Sequence, residues 1–155
     1  MKNIAFCILL IITLIITAIT MKMKRYKLMD FIMTISLVGI SAIIDKLLSS
    51  QFQLYYYVDY DNKLIYSAIY DLLIYPCYGA MFSFLMPKNR SYKSAIYYIF
   101  SWTIFLTFLE AIVVYPFHIV IYTGWWIFPY SPIFYVVGLT ITYIYYQLVE
   151  NKFAS

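Results

Sequence analysis

Five apolar stretches, separated by short polar or basic connections, run along this 155-residue chain. They predict helices over about 4–21, 29–48, 64–86, 94–115 and 132–149, each close to the roughly 20 residues that an α-helix needs to cross a bilayer. A polar, tyrosine-rich loop from Ser49 to Lys63 joins the second and third runs and contains Tyr55-Tyr56-Tyr57, Asp59 and Asp61. Residues 117–131 join the fourth and fifth. Their first half, Phe117 to Tyr122, is apolar but too short to span. The segment reads as an outer loop, as an extension of the fourth helix or as a stretch lying along the interface. Trp125, Trp126 and Tyr130 within it read as interfacial anchors, because an amphipathic ring settles at headgroup level. Pro76 is expected to bend the third helix. Gly39 reads as a close-packing position in the second. The first run is followed by a basic cluster and no clear small-x-small cleavage site, so it reads as an uncleaved helix rather than a signal peptide.

Composition agrees with lipid as part of the solvent. The chain is 65% hydrophobic and 12% charged, with a mean hydropathy of +0.81. A soluble chain this short could not hide so much apolar surface, since small domains bury the smaller fraction of theirs. The expected architecture is all-α: one transmembrane helical bundle over 1–155. Cys7 and Cys77 both fall in apolar runs and read as small buried hydrophobes rather than a disulfide or metal pair.

Charge then orients the bundle. Five spans place Lys22, Lys24, Arg25, Lys27, Lys88, Arg90, Lys93 and Lys152 on one side, and Lys2, Lys46 and Lys63 on the other. The positive-inside rule makes the eight-residue side cytoplasmic, with the N-terminus outside and the C-terminus inside. Basic residues confined to such clusters argue against a nucleic-acid partner.

Acids inside spans carry the candidate chemistry. An Asp at the centre of a membrane helix costs about 2.5–3.5 kcal/mol on insertion scales, so such residues are functional candidates. Asp71 lies about 10 Å below the outer end of its run, and Glu110 about 8 Å below its own, at 1.5 Å per residue. Residues at i±3, i±4 and i±7 share a helix face. On that spacing Ser67, Tyr75 and Tyr78 accompany Asp71, and Thr107 accompanies Glu110. Asp71, Glu110, Tyr75, Tyr78, Thr107, Ser67 and Asp45 therefore define a candidate polar pocket open to the outside, with His118 and Lys46 near its mouth. Asp45 and the adjacent Lys46 read more simply as an interfacial charge pair. No metal-ligand spacing, phosphate loop, nucleophile elbow or dinucleotide fingerprint is present, so neither a metal nor a cofactor is expected.

The order Asp71-Leu72-Leu73-Ile74-Tyr75-Pro76, then Pro87 and a basic loop, then Tyr97-Tyr98, Thr107 and Glu110, then Tyr122, Gly124, Trp125 and Trp126, resembles an uncharacterised family of small multi-pass membrane proteins from spore-forming Gram-positive bacteria. The resemblance covers roughly the C-terminal half and implies a bacterial plasma membrane location and this helix order. It implies no activity. The residues themselves point to a non-enzymatic accessory or small-ligand-binding component, partnered by a larger membrane protein or by copies of itself. A proton- or cation-coupled transporter acting as an oligomer is a second reading. An intramembrane enzyme acting on lipid or isoprenoid, with the acids as general acid and base, is a third.

Overall fold

The computed structural model describes residues 2–24, 28–87 and 91–153. Arg25, Lys27, Lys88 and Arg90 of the basic clusters lie outside the described residues, as do the side chains of Lys24 and Lys152. The described chain is mostly helical. In order it forms α1 (Lys2–Lys24), α2 (Leu28–Asp45), a π-helical segment (Lys46–Gln51), β1 (Tyr55–Tyr57), α3 (Lys63–Ile69), a second π segment (Tyr70–Ile74), α4 (Tyr75–Phe84), α5 (Tyr92–Val114), β2 (Val120–Tyr122) and α6 (Ile127–Phe153). Three helical stretches, Lys2–Met23, Tyr92–Val114 and Ile127–Glu150, are long and apolar enough to cross a membrane.

The long helices α1, α5 and α6 hide a narrow stripe and turn large apolar residues outward, whereas α4 is buried or half-buried along its length. On α1 the hidden positions Phe6, Thr13 and Thr17 recur at helical spacing, while Ile8, Ile11, Ile12, Ile15 and Ile19 are exposed. The threonines are satisfied locally. Thr17 Oγ1 donates to the Thr13 carbonyl at 2.8 Å, and Thr13 Oγ1 lies 3.4 Å from the Tyr78 hydroxyl. Cys77 is buried as expected, but Cys7 is exposed, because it follows Phe6 on the outward side of α1. A Cβ added at Gly39 would meet nothing within 4 Å, so this glycine is not the close-packing position its sequence context suggested.

The expected third helix, 64–86, is instead divided by the second π segment. Pro76 has no N–H for the carbonyl of Leu72, and its ring would crowd that carbonyl in a regular helix. The chain widens ahead of it: the Tyr75 N–H reaches back five residues to the Tyr70 carbonyl. A π turn of this kind absorbs the break without ending the helix. The second expected helix, 29–48, likewise gives way at Asp45 to the first π segment, closed by the Phe52 N–H on the Leu47 carbonyl at 2.9 Å. The fourth, expected over 94–115, runs as Tyr92–Val114, and the fifth, expected over 132–149, extends at both ends to Ile127–Phe153, with a non-helical break at Phe128 (φ −108°, ψ 128°).

Residues 117–131 neither extend α5 nor stay a plain loop. Pro116 disfavours helix at the residue before it, and the chain turns at His118 (φ 49°) into β2. β2 pairs antiparallel with β1, placing Tyr55 opposite Tyr122, Tyr56 opposite Ile121 and Tyr57 opposite Val120. Backbone bonds from Val58 to Ile119 (2.6 Å) and from Thr123 and Gly124 to the Leu54 carbonyl (2.9 and 3.0 Å) tie the two connections together. The sheet forms a cap. Phe6, Tyr57, Tyr70, Ile74, Val113 and Ile127 share one buried cluster with it. With Asp45 at the end of α2 hydrogen-bonded to Tyr55 and Tyr57, the start of α1, the end of α2, α3, the end of α5 and the start of α6 gather beneath the cap.

A second cluster, Met81, Phe82, Met86, Trp102 and Tyr143, fills the opposite half. The last carbonyls of α4 lack partners within the helix. The Tyr98 hydroxyl supplies one by donating to the Phe82 carbonyl at 2.5 Å. Replacing Tyr98 with Phe removes that bond and keeps the ring, so we expect a loss of about 1 kcal/mol, read as a lowered thermal midpoint in detergent. An unchanged midpoint would show that α4 terminates without it.

Candidate functional site

Two carboxyl groups meet one cavity beneath the cap. Asp45, the last residue of α2, is 2% exposed. Its surroundings follow from local geometry. Alternate residues of a strand point the same way, and Tyr55 and Tyr57 of β1 both donate to Asp45 Oδ1, at 2.8 and 2.5 Å. Ser67 of α3 donates to Oδ2 at 2.8 Å. Ser49, one turn on in the π segment, donates to the Asp45 carbonyl at 2.6 Å and lies 3.4 Å from Oδ2. Hydroxyl donors to an ionised carboxylate are short and about twice as strong as neutral pairs, so this carboxylate is held without a cation against it.

The expected pairing of Asp45 with Lys46 does not occur. Successive helix residues diverge by about 100°, so Asp45 turns inward and Lys46 sideways. Lys46 Nζ donates to Ser67 Oγ at 2.8 Å and lies 3.9 Å from Asp71 Oδ2. Asp71 is 3% exposed, and its Oδ1 has no hydrogen-bond partner. Tyr75 extends the network from the other end, with its hydroxyl 2.9 Å from that of Tyr57.

Glu110 of α5 faces the cavity from the opposite wall. Its Oε1 accepts hydrogen bonds from Tyr122 of β2 and, at 2.9 Å, from Ser131 of α6. Ser131 in turn accepts from Trp125 Nε1 at 2.9 Å. Glu110 Oε2 is buried with no hydrogen bond in range, and the Tyr135 hydroxyl lies beside the Glu110 carboxyl. The cavity measures about 310 Å³, and its lining includes Asp45, Glu110, Tyr70, Tyr75, Tyr135 and Trp125 but, among the described residues, no basic side chain.

Three phenols of the cap are fixed as donors. Burial, reinforced by the charge of Asp45, pushes the Tyr55 hydroxyl above the usual phenol range. Burial does the same for Tyr57, and burial together with Glu110 for Tyr122. All three stay protonated at neutral pH. Their stabilising contribution is complete below the ordinary tyrosine range and is lost only as pH rises beyond it.

Of the residues singled out by spacing, Asp45, Glu110, Tyr75 and Tyr78 line the cavity, and Ser67 bonds to one of its acids. Asp71 lies outside it, on the Lys46 side. Thr107 donates to the Thr103 carbonyl on its own helix at 2.8 Å and does not line the cavity. His118 is exposed and does not line it either. Trp126 and Tyr130 are exposed, as anchors would be, whereas Trp125 turns inward to Ser131. Spacing along single helices did not find Tyr55, Tyr57, Tyr122 or Ser131. The one available signal was the tyrosine pair at i and i+2 in a short polar stretch. Comparison with protein families, curated proteins and solved structures finds no match.

Alternation in β1 supplies an internal control. Tyr57→Phe should cost about 1.5–3 kcal/mol, the range for a hydrogen bond to a charged group. Tyr56→Phe, on the other face of the strand, should cost under about 0.5 kcal/mol. Chemical denaturation in detergent reads both, and equal losses would sever the link between Asp45 and cap stability.

Proposed function

We propose that this chain crosses the membrane five times, with the N-terminus outside and the C-terminus in the cytoplasm, and binds a small organic cation in the acidic cavity beneath its outer cap. It acts without chemistry on the ligand. Support for the topology comes from two independent directions. The helix ends gathered at the cap alternate along the chain as five passes require. In sequence, eight of the eleven basic residues fall next to the other helix ends, where the positive-inside rule puts the cytoplasm.

The observation that carries the ligand class is a cavity lined by two carboxyl groups, eight aromatic rings besides Phe134, and no basic side chain. Anions are repelled from such a site. A cation gains from both the carboxyl groups and the ring faces, and aromatic cages are a known solution for quaternary ammonium groups. Roles divide between the acids. Asp45 is already saturated by protein donors, so it shapes the wall. Glu110 keeps one oxygen without a hydrogen bond, beside the Tyr135 hydroxyl, and is the charge partner.

Tetramethylammonium is the simplest probe. Titration into protein in nanodiscs, followed by Trp125 fluorescence, should show saturable binding that Glu110→Gln weakens about tenfold or more, given that a charge-assisted contact is worth about 1.5–3 kcal/mol. Absence of binding to the folded protein, or binding indifferent to Glu110, would overturn the reading.

A second reading, coupled transport by an oligomer, is favoured by one further observation. Lys46, Ser67, Asp45, Tyr57 and Tyr75 form a continuous hydrogen-bonded chain from a half-exposed amine to the cavity wall. In this reading Ser67→Ala should abolish proton-linked cation flux into liposomes while leaving cation binding in place. Flux that survives the substitution removes the chain from any such cycle.

A further inference from the structure

We propose that the cavity is entered sideways from the bilayer, between α2 and α6, by a single-chain amphiphile with a cationic head. This inference rests on the cation-binding reading above and adds where the ligand comes from and what it carries.

Of the nineteen described residues that line the cavity, Ile44 of α2 and Phe134 of α6 are the two exposed ones, at 44% and 48%. The remaining walls are closed. The cap roofs the cavity through buried Tyr57 and Val120. Glu110 and Ser131 join α5 to α6, and Phe6 of α1 packs on Tyr66 and Tyr70 at ring separations of 5.2 and 5.9 Å. The opening therefore lies on one side, within helices that carry the apolar outer surface.

The gap has a floor. Ser36 of α2 and Tyr145 of α6 approach to 3.2 Å between hydroxyls, eight residues inward of Ile44, about 12 Å along the helix axis. Between rim and floor, the same faces carry Ile40 on α2 and Val137 and Ile141 on α6, all exposed. The two helices run antiparallel, so both tracks lead from the rim toward the bilayer centre. A head in the cavity would thus leave its chain running inward, as an acyl chain of the outer leaflet does. The charge of the lining selects among amphiphiles. A phosphate beside Asp45 and Glu110 is disfavoured, whereas an alkylammonium is matched. The modest volume accommodates a head group and leaves the chain outside.

The test compares radiolabelled dodecyltrimethylammonium with tetramethylammonium in nanodiscs, using empty nanodiscs as the blank. The chain-bearing cation should bind at least about tenfold more tightly, since its chain is buried against the α2–α6 track. In a Cys7→Ala, Cys77→Ala background, Ile44→Cys and Phe134→Cys are then joined by a reducible bifunctional thiol reagent. The link should slow association of the dodecyl cation about tenfold or more by blocking the gap, and reduction should restore it, which also verifies the fold. Ile44→Trp, which narrows the rim without a cross-link, should slow it as well. Tetramethylammonium binding that persists while neither change affects the dodecyl cation overturns sideways access and leaves the cation site intact. Equal affinity of the two cations, or equal binding of dodecyl sulfate, overturns the amphiphile assignment. Failure of both cations to bind the folded protein sinks the cation site itself.

Discussion

A carboxylate withdrawn from water must be supplied with hydrogen-bond donors or a counter-charge, and Asp45, at 2% exposure, is supplied with donors alone. Meeting that demand organises the cap half of the protein. Donors come from β1 and α3, so the end of α2 must be held against both. A three-residue strand does not hold itself in place, and β1 is kept by its pairing with β2. β2 bridges α5 and α6, and its Tyr122 reaches Glu110. The hydrogen bonds of one acid thereby set the position of the other.

The two acids are treated differently. Asp45 has both oxygens occupied by protein hydroxyls, and replacing any donor leaves a buried charge short of a partner. Glu110 has one oxygen occupied twice and the other left open. A desolvated acceptor without a partner costs about 1–3 kcal/mol, a cost that a cationic ligand would offset. The same logic accounts for much of the tyrosine content. Tyrosine brings a neutral donor on an apolar ring, so it can satisfy a carboxylate in an environment where lysine or arginine would add a second desolvated charge. Adjacent Trp125 and Trp126 show the division: one indole is bonded inward to Ser131, the other is 70% exposed.

Hydropathy located the helices because the apolar runs are long and the breaks between them polar. Face-sharing at i±3 and i±4 grouped Ser67, Tyr75 and Tyr78 around Asp71, because these relations are internal to one helix; Tyr75 and Tyr78 line the cavity, while Asp71 does not. It gave no access to relations between elements. Tyr122 and Ser131 lie twelve and twenty-one residues from Glu110, and only the turn after Pro116 brings them back. Tyr55 and Tyr57 were read as part of a polar loop, since three residues are too few to show strand periodicity. Asp45 and Lys46 were paired because they are neighbours in sequence, although helix geometry sends neighbours to different faces. The π segments left a trace only at Pro76. The segment after Asp45 contains no proline or glycine that would announce it.

The two halves of the bundle bear on what the cavity does. Its acids, open oxygen and aromatic walls all lie on the cap side. The way from there to the opposite face runs through Met81, Phe82, Met86, Trp102 and Tyr143, none more than 9% exposed, with Phe82 and Trp102 packed edge to face. Interiors at this density do not part without giving up many contacts together. Holding a ligand requires only the half that is already formed. Carrying one across would require a second arrangement in which Phe82 and Trp102 separate and Tyr98 releases the end of α4. The conformation with the acids poised and the Phe82–Trp102 cluster closed would suffice to hold a ligand and is only one of the two conformations that a transporter would need.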